Sequence, residues 1–377
     1  MNYCKKCVMP DTRPGLLFTD GVCIACLHAE QKYVKTDYNQ RWKELEELCD
    51  KYRGINGDGY DCAIAVSGGK DSHTQVYHIK KRLGMNPLLI TVEHFSWTET
   101  GRKNIKNLCD TFNCDLVSFT PRLQALRTLT KKASKKFGQP NWYFDSLVYA
   151  IPYSFAIKHG IELLIWGENV GYEYGGSQGM AETPSATQQY ENDVVKQIDF
   201  DEWLGDGITM KDLKQCKPPT YDEMKTAKLN SIYLSYYIPW DSHKHYLIAK
   251  RNGFQHIGHE WIREGTIENY NQVDTVGYGV NQFFKYIKFG HSTVTELASR
   301  WVRAGMITRD EAVKLVLEND NKLDQKIYND YLMLTGLNHE EFWEISEKWY
   351  NREIFEKDHW GLWKMKDEVI NALINGK

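Results

Sequence analysis

Residues 61–72 read DCAIAVSGGKDS, and this stretch decides the fold. Its apolar beginning, residues 62–66, is typical of a buried strand, and the spacing of apolar residues after the stretch predicts a helix. The turn between them points consecutive backbone N–H groups at one place, where the helix dipole also attracts an anion. Gly68 and Gly69 permit the unusual dihedral angles that such a turn needs. The stretch therefore predicts a phosphate-binding loop.

Two familiar phosphate loops do not match this stretch. A Walker A loop requires a glycine at the position of Ile64 and Ser or Thr after its lysine, whereas Lys70 is followed by Asp71. A dinucleotide fingerprint requires three glycines after the strand, and only two are present. The stretch instead resembles the pyrophosphate loop of the PP-loop ATP pyrophosphatases, which cleave ATP between the α and β phosphates. An ordinary glycine turn is the alternative.

The composition is that of a soluble globular protein, with 377 residues, 42% of them hydrophobic and 26% charged. The length allows two domains or one decorated domain. Because the net charge is −3, no nucleic-acid partner is expected. No apolar run approaches the ~20 residues that span a bilayer. The first residues, MNYCKKC, lack the apolar core of a signal peptide, so we expect a cytoplasmic location and no membrane partner.

Four cysteines near the beginning have the spacing of a zinc site. They form two C-x2-C pairs and are Cys4, Cys7, Cys23 and Cys26. Each pair lies on a tight turn that lets two thiolates face one ion, and the four thiolates together form a closed tetrahedron around it. The spacing therefore predicts a structural Zn²⁺. Two redox-active pairs are the alternative. The remaining cysteines are expected to be buried thiols, since disulfides are rare in the cytoplasm.

Strands alternate with helices in the middle of the chain. Four apolar runs predict strands, at residues 62–66, 87–94, 116–120 and 162–166. Strands with helical segments between them are typical of an α/β fold with a doubly wound parallel sheet. The helix predicted at 144–158 is expected to be interrupted near Pro152, and the polar stretch 171–192 is expected to form a lid.

These patterns divide the chain into four regions. The first two are a zinc ribbon at residues 1–32 and a linker helix at 33–59. Residues 60–235 are expected to form the α/β domain. The loop in this domain resembles that of PP-loop (HUP-type) domains. Residues 236–377 are expected to be mainly helical, to bind substrate and to provide a homodimer surface, and the tail from residue 323 reads as helical throughout.

Ligands of such sheets bind beyond the carboxyl ends of the strands. That rule brings the loop together with Glu93 and His94 after the second strand, and with Gly167, Glu168 and Asn169 after the fourth. In the PP-loop enzymes that the loop resembles, these positions surround the pyrophosphate, the adenine and the reacting centre. For residues 167–169, a plain strand-ending turn is the alternative.

Two further groups in the second half of the chain are candidate ligand contacts. Aromatic rings with polar neighbours suit a sugar, and this group comprises Tyr236, Tyr237, Trp240 and Asp241. Packing in the core is the alternative for each ring. Lys285 and Lys288 are three residues apart, so they are expected to share a helix face directed at phosphates, unless both are simply solvated.

Over nearly its whole length the chain resembles the N-acetyl sugar amidotransferases of the PP-loop superfamily. The resemblance rests on the CKKCVMPDTRP start and the second cysteine pair, on SGGKDS at 67–72, WGEN at 166–169 and YYIPWDS at 236–242, and on KYIKFG at 285–290 and RAGMITRDEAVKLV at 303–316. Within the family, it is most similar to members that act on pseudaminic acid. The resemblance implies that the substrate is this or a related nonulosonic acid, free or CMP-activated, with relatives that act on uronic sugars.

The resemblance implies a reaction in two steps. ATP adenylylates the oxygen of an N-acetyl amide and releases pyrophosphate, and ammonia then displaces AMP and leaves an acetamidino group. The implied ATP and pyrophosphate contacts are Ala65, Val66, Ser67, Gly68, Gly69, Lys70, Asp71, Ser72, Glu93, His94, Gly167, Lys285 and Lys288. The implied catalytic residues are Lys70, Asp71, Glu168 and Asn169. Mg²⁺ is expected to bridge the phosphates, with Asp71 as the nearest carboxylate.

The chain shows no signature of its own glutaminase. An N-terminal-nucleophile glutaminase needs Cys after Met1, where Asn2 stands, and no cysteine outside the zinc pairs has the flanking glycines of a nucleophile elbow. We expect ammonia from a separate glutaminase subunit or from solution. Two other functions are alternatives: a zinc-ribbon tRNA thiolase, and a non-enzymatic module that keeps ATP as a structural ligand.

Overall fold

The structure is a computed structural model that describes residues 1–176, 182–187 and 198–376. The chain begins with a short antiparallel hairpin, β1 (Phe18–Thr19) and β2 (Val22–Cys23), followed by helices α1 (Ile24–Lys35) and α2 (Tyr38–Tyr52). The predicted linker helix is present as α2, but it begins at Tyr38 and not at residue 33. Asp37 separates it from α1, because its carboxylate caps α2 by accepting hydrogen bonds from the backbone N–H groups of the next turn.

The predicted parallel sheet is confirmed, with five strands in the order β5-β4-β3-β6-β7. The strands are β3 (Cys62–Ala65), β4 (Pro87–Val92), β5 (Leu116–Phe119), β6 (Leu163–Trp166) and β7 (Asn230–Tyr233). Four of these correspond to the predicted strands. The sequence reasoning missed β7, whose short run NSIY carries only a weak apolar signal.

Both faces of the sheet are buried. Successive residues of β3 pack into different hydrophobic clusters, with Ala63 on one face of the sheet and Ile64 on the other. The helices that cover and flank the sheet are α3 (Lys70–Val76), α4 (Glu99–Phe112), α5 (Leu123–Phe137), α6 (Trp142–Lys158), α7 (Val170–Tyr174), α8 (Met210–Lys214), α9 (Tyr221–Thr226), α10 (Leu234–Tyr237) and α11 (Ser242–Arg251). A π-helical segment, Tyr77–Arg82, extends α3.

Helix α6 is continuous through Pro152, so the predicted interruption is wrong. A proline inside a helix removes one hydrogen bond and crowds the preceding turn. Here the helix is buried along most of its length and contacts β3, β4 and β6, and this packing outweighs the local cost.

The second half of the chain is mainly helical, with one hairpin. Its helices are α12 (Gly277–Phe289), α13 (Thr293–Arg303), α14 (Arg309–Asn319), α15 (Gln325–Thr335), α16 (His339–Glu347) and α17 (Asp367–Asn375). Strands β8 (Phe355–Lys357) and β9 (Trp363–Met365) pair antiparallel, which corrects the prediction of a wholly helical tail. Asp358 shapes the turn by accepting from the N–H groups of Trp360 and Leu362.

Only part of the expected lid is described. Residues 171–174 belong to α7, and residues 177–181 and 188–192 lie outside the described residues. Among the helices that the structure describes, none combines the length and the apolar character needed to cross a membrane.

Candidate active site at the carboxyl edge of the sheet

The loop of residues 67–72 joins β3 to α3 and is held by its own serines. The Ser67 N–H donates to Ser72 Oγ at 2.9 Å, and the Gly69 N–H donates to Ser67 Oγ at 3.3 Å. Gly68 has φ +80°, and a Cβ there would lie 2.9 Å from the Ile105 nitrogen in α4. Only glycine fits this position, since both the dihedral angle and the close backbone exclude a side chain.

Lys70 and Asp71 begin α3 and form a partly buried polar cluster with a histidine from α11. Lys70 Nζ lies 2.6 Å from Asp71 Oδ2, and His245 Nδ1 lies 2.7 Å from Asp71 Oδ1. Burial alone would raise the pKa of Asp71, but Lys70 and His245 together hold it well below its usual range. Asp71 is therefore an ionised carboxylate at neutral pH.

Glu168 follows β6 and faces this cluster. Burial, and then the negative charge of Asp71, raise the pKa of Glu168 to about 7. Its neighbour Asn169 is buried and donates its backbone N–H to Ser235 Oγ at 3.0 Å. The Asn169 side chain caps α7 by accepting from the Tyr172 N–H at 3.2 Å. The structure thus brings Glu168 to the loop and gives Asn169 a capping contact.

Gly167 precedes these two residues in the chain and is tightly packed. A Cβ on Gly167 would lie 2.9 Å from Gln75 Nε2 and 3.0 Å from the ring of Trp240. The glycine therefore allows α3 and the segment before α11 to approach the end of β6.

Glu93 and His94 follow β4 at the same edge. Glu93 pairs with Arg102 and accepts from Thr120 Oγ1 at 3.2 Å. His94 is buried, and its Nδ1 accepts from the Ser96 N–H at 3.0 Å. Burial lowers the pKa of His94 to about 4, so the ring is neutral at physiological pH with its proton on Nε2.

The four predicted substrate contacts separate into two pairs. Trp240 donates from Nε1 to Tyr174 Oη at 3.1 Å and lies edge-on to His245, and Asp241 caps α11 by accepting from the Lys244 N–H. Tyr236 and Tyr237 pack toward α2 instead. The guanidinium of Arg41 lies 3.9 Å from the Tyr236 ring centre, and Tyr237 belongs to the core cluster that contains Leu45.

Lys285 and Lys288 do not share one set of partners. Lys285 pairs with Glu296, beside Arg13, whereas Lys288 Nζ donates to the Phe137 carbonyl at 3.0 Å. Each ammonium has a protein partner in a different part of the fold, and a contact of either lysine with phosphate stays a prediction.

A cavity of about 530 Å³ adjoins this site on the other side of Trp240. Its wall combines the end of α1, α7, the beginning of α11 and the end of α13. The lining residues include Lys32, Tyr174, Trp240, Ser242, Glu268 and Arg303. No single local pattern marks these residues, which lie far apart in the sequence.

The four N-terminal cysteines meet at one point and are buried. Cys4 Sγ lies 3.9 Å from Cys26 Sγ, and Cys7 Sγ lies 3.7 Å from Cys23 Sγ. A tetrahedron with Zn–S bonds of ~2.3 Å has sulfur–sulfur edges of roughly 3.8 Å, so this set fits Zn²⁺. The predicted cysteine cluster is confirmed in its geometry.

Parts of the chain are similar to other proteins. Residues 264–369 match the family described as "LPS biosynthesis protein WbpG-like, C-terminal domain". An uncharacterised protein of Methanocaldococcus jannaschii is 28% identical over 116 residues, which are 30% of this chain and 41% of that protein. The chain thus spans less than half the length of this curated relative. The structure of NMN synthetase from Francisella tularensis superposes on 72% of this chain and 94% of that chain, but a TM-score of 0.32 at 10% identity is too weak to bear on the fold.

The region that matches this lipopolysaccharide-biosynthesis family contributes to both parts of the site. It contains Asp274, whose pKa is raised to about 6 by burial and whose charged neighbours include Lys70. It also contains Glu268, Arg300 and Arg303 at the cavity. Sequence reasoning missed all four, because an isolated Asp, Glu or Arg carries no local signal until the fold surrounds it.

A carboxylate at the loop fits the expected Mg²⁺. This ion prefers a few carboxylate oxygens together with substrate phosphates. Asp71 follows directly on the loop's lysine and is ionised there. Asp71 is therefore the residue that would hold the ion.

Proposed function

We propose that the protein is an ATP-dependent, AMP-forming amidotransferase that converts an N-acetyl group of a sugar into an acetamidino group. The observation that carries the proposal is the partly buried cluster at the loop. There Lys70 and Asp71 begin α3 and Glu168 approaches from the end of β6. The match of residues 264–369 to a lipopolysaccharide-biosynthesis family supports a sugar as the acceptor.

In the first step the amide oxygen of the N-acetyl group attacks the α phosphorus of ATP. The bond from that phosphorus to the bridging oxygen breaks, and pyrophosphate leaves. The N–H groups of the loop and the Lys70 ammonium stabilise the charge that develops on the leaving group. Mg²⁺, when bound, neutralises further phosphate charge.

In the second step ammonia attacks the imidate carbon, the bond from that carbon to the AMP oxygen breaks, and AMP departs. The attacking nitrogen must lose a proton. Glu168 suits this role, because a carboxyl group with a pKa of about 7 can accept a proton near neutral pH. Asp71 is held ionised nearby and so does not compete for this proton.

The substrate that we propose is pseudaminic acid or a related nonulosonic acid, free or CMP-activated. Ammonia comes from a separate glutaminase subunit or from solution, in a cytoplasmic enzyme for which we expect a homodimer. Purified protein should therefore release no ammonia from glutamine, and glutamine hydrolysis by the chain alone would contradict this part of the proposal.

The proposal is tested by incubating the protein with ATP, Mg²⁺, ammonium and a sugar pool. The pool contains di-N-acetylated nonulosonic acids, their CMP forms and UDP-linked N-acetyl uronic sugars. We expect one sugar to exchange an oxygen for NH in the mass spectrum, with formation of AMP in equal amount. No mass change in any sugar would contradict the sugar assignment.

A variant connects the reaction to the loop. Asp71→Asn removes the charge that holds Lys70 and His245, and we expect a loss of AMP formation by at least about 100-fold, as for other charged groups at reacting centres. Asp110→Asn, an exposed carboxylate on α4, is the control and should retain full activity. Equal activity of the two variants would exclude the loop as the reacting centre.

A further inference from the structure

The cavity beside Trp240 has the size and composition of a small-molecule site. Its volume of about 530 Å³ lies within the range of roughly 300–1,000 Å³ that ligand pockets occupy. The wall carries four aromatic side chains, Tyr172, Tyr174, Trp240 and Trp301, together with several charged groups. Flat apolar faces next to polar groups suit a sugar ring.

Three side chains of the wall carry a buried polar atom that lacks a hydrogen-bond partner among the described residues. These atoms are Ser242 Oγ, Glu268 Oε2 and Arg303 Nη1. A buried polar group without a partner is unfavourable, and a turn of each of these side chains toward the cavity would let a ligand there satisfy it. Hydroxyl groups and an anionic group on the ligand supply the matching donors and acceptors.

The charges of the wall favour a ligand with a negative charge. Lys32 is paired with Glu173 at 2.6 Å, and Lys244 lies 3.7 Å from Asp241. Among the wall residues that the structure describes, the guanidinium groups of Arg300 and Arg303 then remain, against the carboxylate of Glu268. Arg303 also faces the cysteine cluster, so its side chain connects that cluster to the cavity.

A tryptophan of the cavity wall is connected to the phosphate loop through a histidine. The Trp240 ring centre lies 4.4 Å from that of His245, and His245 Nδ1 lies 2.7 Å from Asp71 Oδ1. On the cavity side, Trp240 is bonded to Tyr174, over whose ring the Arg300 guanidinium lies at 4.0 Å. Trp240 therefore borders the cavity and also packs against Gly167 at the end of β6, which precedes Glu168.

We infer that this cavity is the acceptor site and that it binds an acidic, polyhydroxylated sugar through Ser242, Glu268 and Arg303. The inference rests on the proposed function, which it extends by naming where the acceptor lies and which residues select it. Helix α1, which follows Cys23 directly and contains Cys26, forms one wall through His28 and Lys32. The cysteine segment is thus part of the acceptor site as well as a structural element.

Two variants with matched controls test the site. Ser242→Ala and Arg303→Gln alter the wall. Ser299→Ala removes a buried hydroxyl that also lacks a partner among the described residues but lies outside the cavity. Arg127→Gln alters a half-buried arginine on α5 that donates to the Leu334 carbonyl and does not line the cavity. The four proteins are compared by the KM for the sugar, and by the affinity for α,β-methylene-ATP from calorimetry.

We expect the KM for the sugar to rise about tenfold in Ser242→Ala and more in Arg303→Gln, since a charged hydrogen bond is the stronger one. The controls should keep the wild-type KM, and all four should keep the wild-type affinity for the ATP analogue. A wild-type KM in both wall variants would overturn the inference and leave the proposed function intact.

A second readout distinguishes failure of the proposed function from failure of the inference about the cavity. If the wild-type protein amidates none of the sugars, each sugar is titrated against the tryptophan fluorescence, because Trp240 and Trp301 line the cavity. Quenching that is lost in Ser242→Ala but kept in Ser299→Ala would retain the cavity as a sugar site without the amidation chemistry. No quenching by any sugar would overturn the inference as well.

Discussion

At the level of single residues, the site contains two carboxyl groups whose pKa values move in opposite directions. Lys70 and His245 hold Asp71 ionised, whereas burial and the charge of Asp71 raise the pKa of Glu168 to about 7. Neighbouring carboxyl groups with such different environments are suited to different roles, one as a fixed charge and one as a proton acceptor.

The raised pKa of Glu168 predicts a pH-dependent stability. In the unfolded chain the pKa returns to about 4.3, so between that pH and about 7 the folded state binds more protons than the unfolded state. Stability that depends on this group therefore falls as the pH rises through that window. Glu168→Gln mimics the protonated form, so we expect its melting temperature relative to wild type to be higher at pH 8 than at pH 5, by roughly 2 °C or more.

Differential scanning calorimetry at the two pH values measures this difference. Glu318→Gln, an exposed glutamate on α14, is the control and should show the same offset from wild type at both pH values. If Glu168→Gln behaved like this control, Glu168 would not be protonated near neutral pH in the folded protein.

At the level of elements, the loop depends on how closely α4 approaches it. The backbone of Ile105 leaves no room for a Cβ at residue 68, so β3, the loop and α4 are mutually positioned. The apolar residues Val76, Ile79 and Leu83 are all buried in the same core cluster on one side of the sheet, although the helix becomes π-helical after Val76.

Gly68→Ala is expected to destabilise the protein more than a comparable change elsewhere. Gly54 has φ +70°, and no atom lies within 4 Å of the position that a Cβ would take there, so Gly54→Ala isolates the backbone strain, about 1–2 kcal/mol. Gly68→Ala adds the clash with Ile105, and we expect a larger loss in urea-induced unfolding together with the loss of α,β-methylene-ATP binding. Equal unfolding curves for the two variants would show that α4 can move away and accommodate a Cβ at residue 68.

At the level of the whole molecule, the first residues of the chain pack against the second half. Arg309 donates to the carbonyls of Cys4 and Cys7, and Arg13 pairs with Glu296 at 3.0 Å. Tyr3 and Val8 share a core cluster with α13 and α14. The cysteine segment is therefore fastened to the elements that form one side of the cavity.

Loss of the metal is expected to loosen this contact. The purified protein should contain one zinc ion per chain by emission spectrometry, and Cys4→Ser should lower both the zinc content and the melting temperature. Cys109→Ser, a half-buried cysteine on α4, serves as the control and should retain the metal. A full zinc content in Cys4→Ser would exclude these thiolates as the ligands.

Features that depend on neighbours in the chain were predictable. The periodicity of residues 62–66, the two glycines of the loop and the spacing of the cysteine pairs each act over a few residues, and the strand, the turn and the cysteine cluster follow from them. Elements with weak local patterns were missed or mistaken, as with β7 and the hairpin of β8 and β9.

The sequence by itself determined the loop, the parallel sheet and the cysteine cluster, since dihedral preferences and apolar spacing are properties of short segments. Only the tertiary structure decided which side chains meet there. His245 contacts Asp71 across 174 residues of chain, and Arg303 reaches the cavity from a helix far from Trp240. The same packing gave Lys285 and Lys288 other partners, because burial forces a charge to find the nearest opposite group or carbonyl, wherever the fold places it.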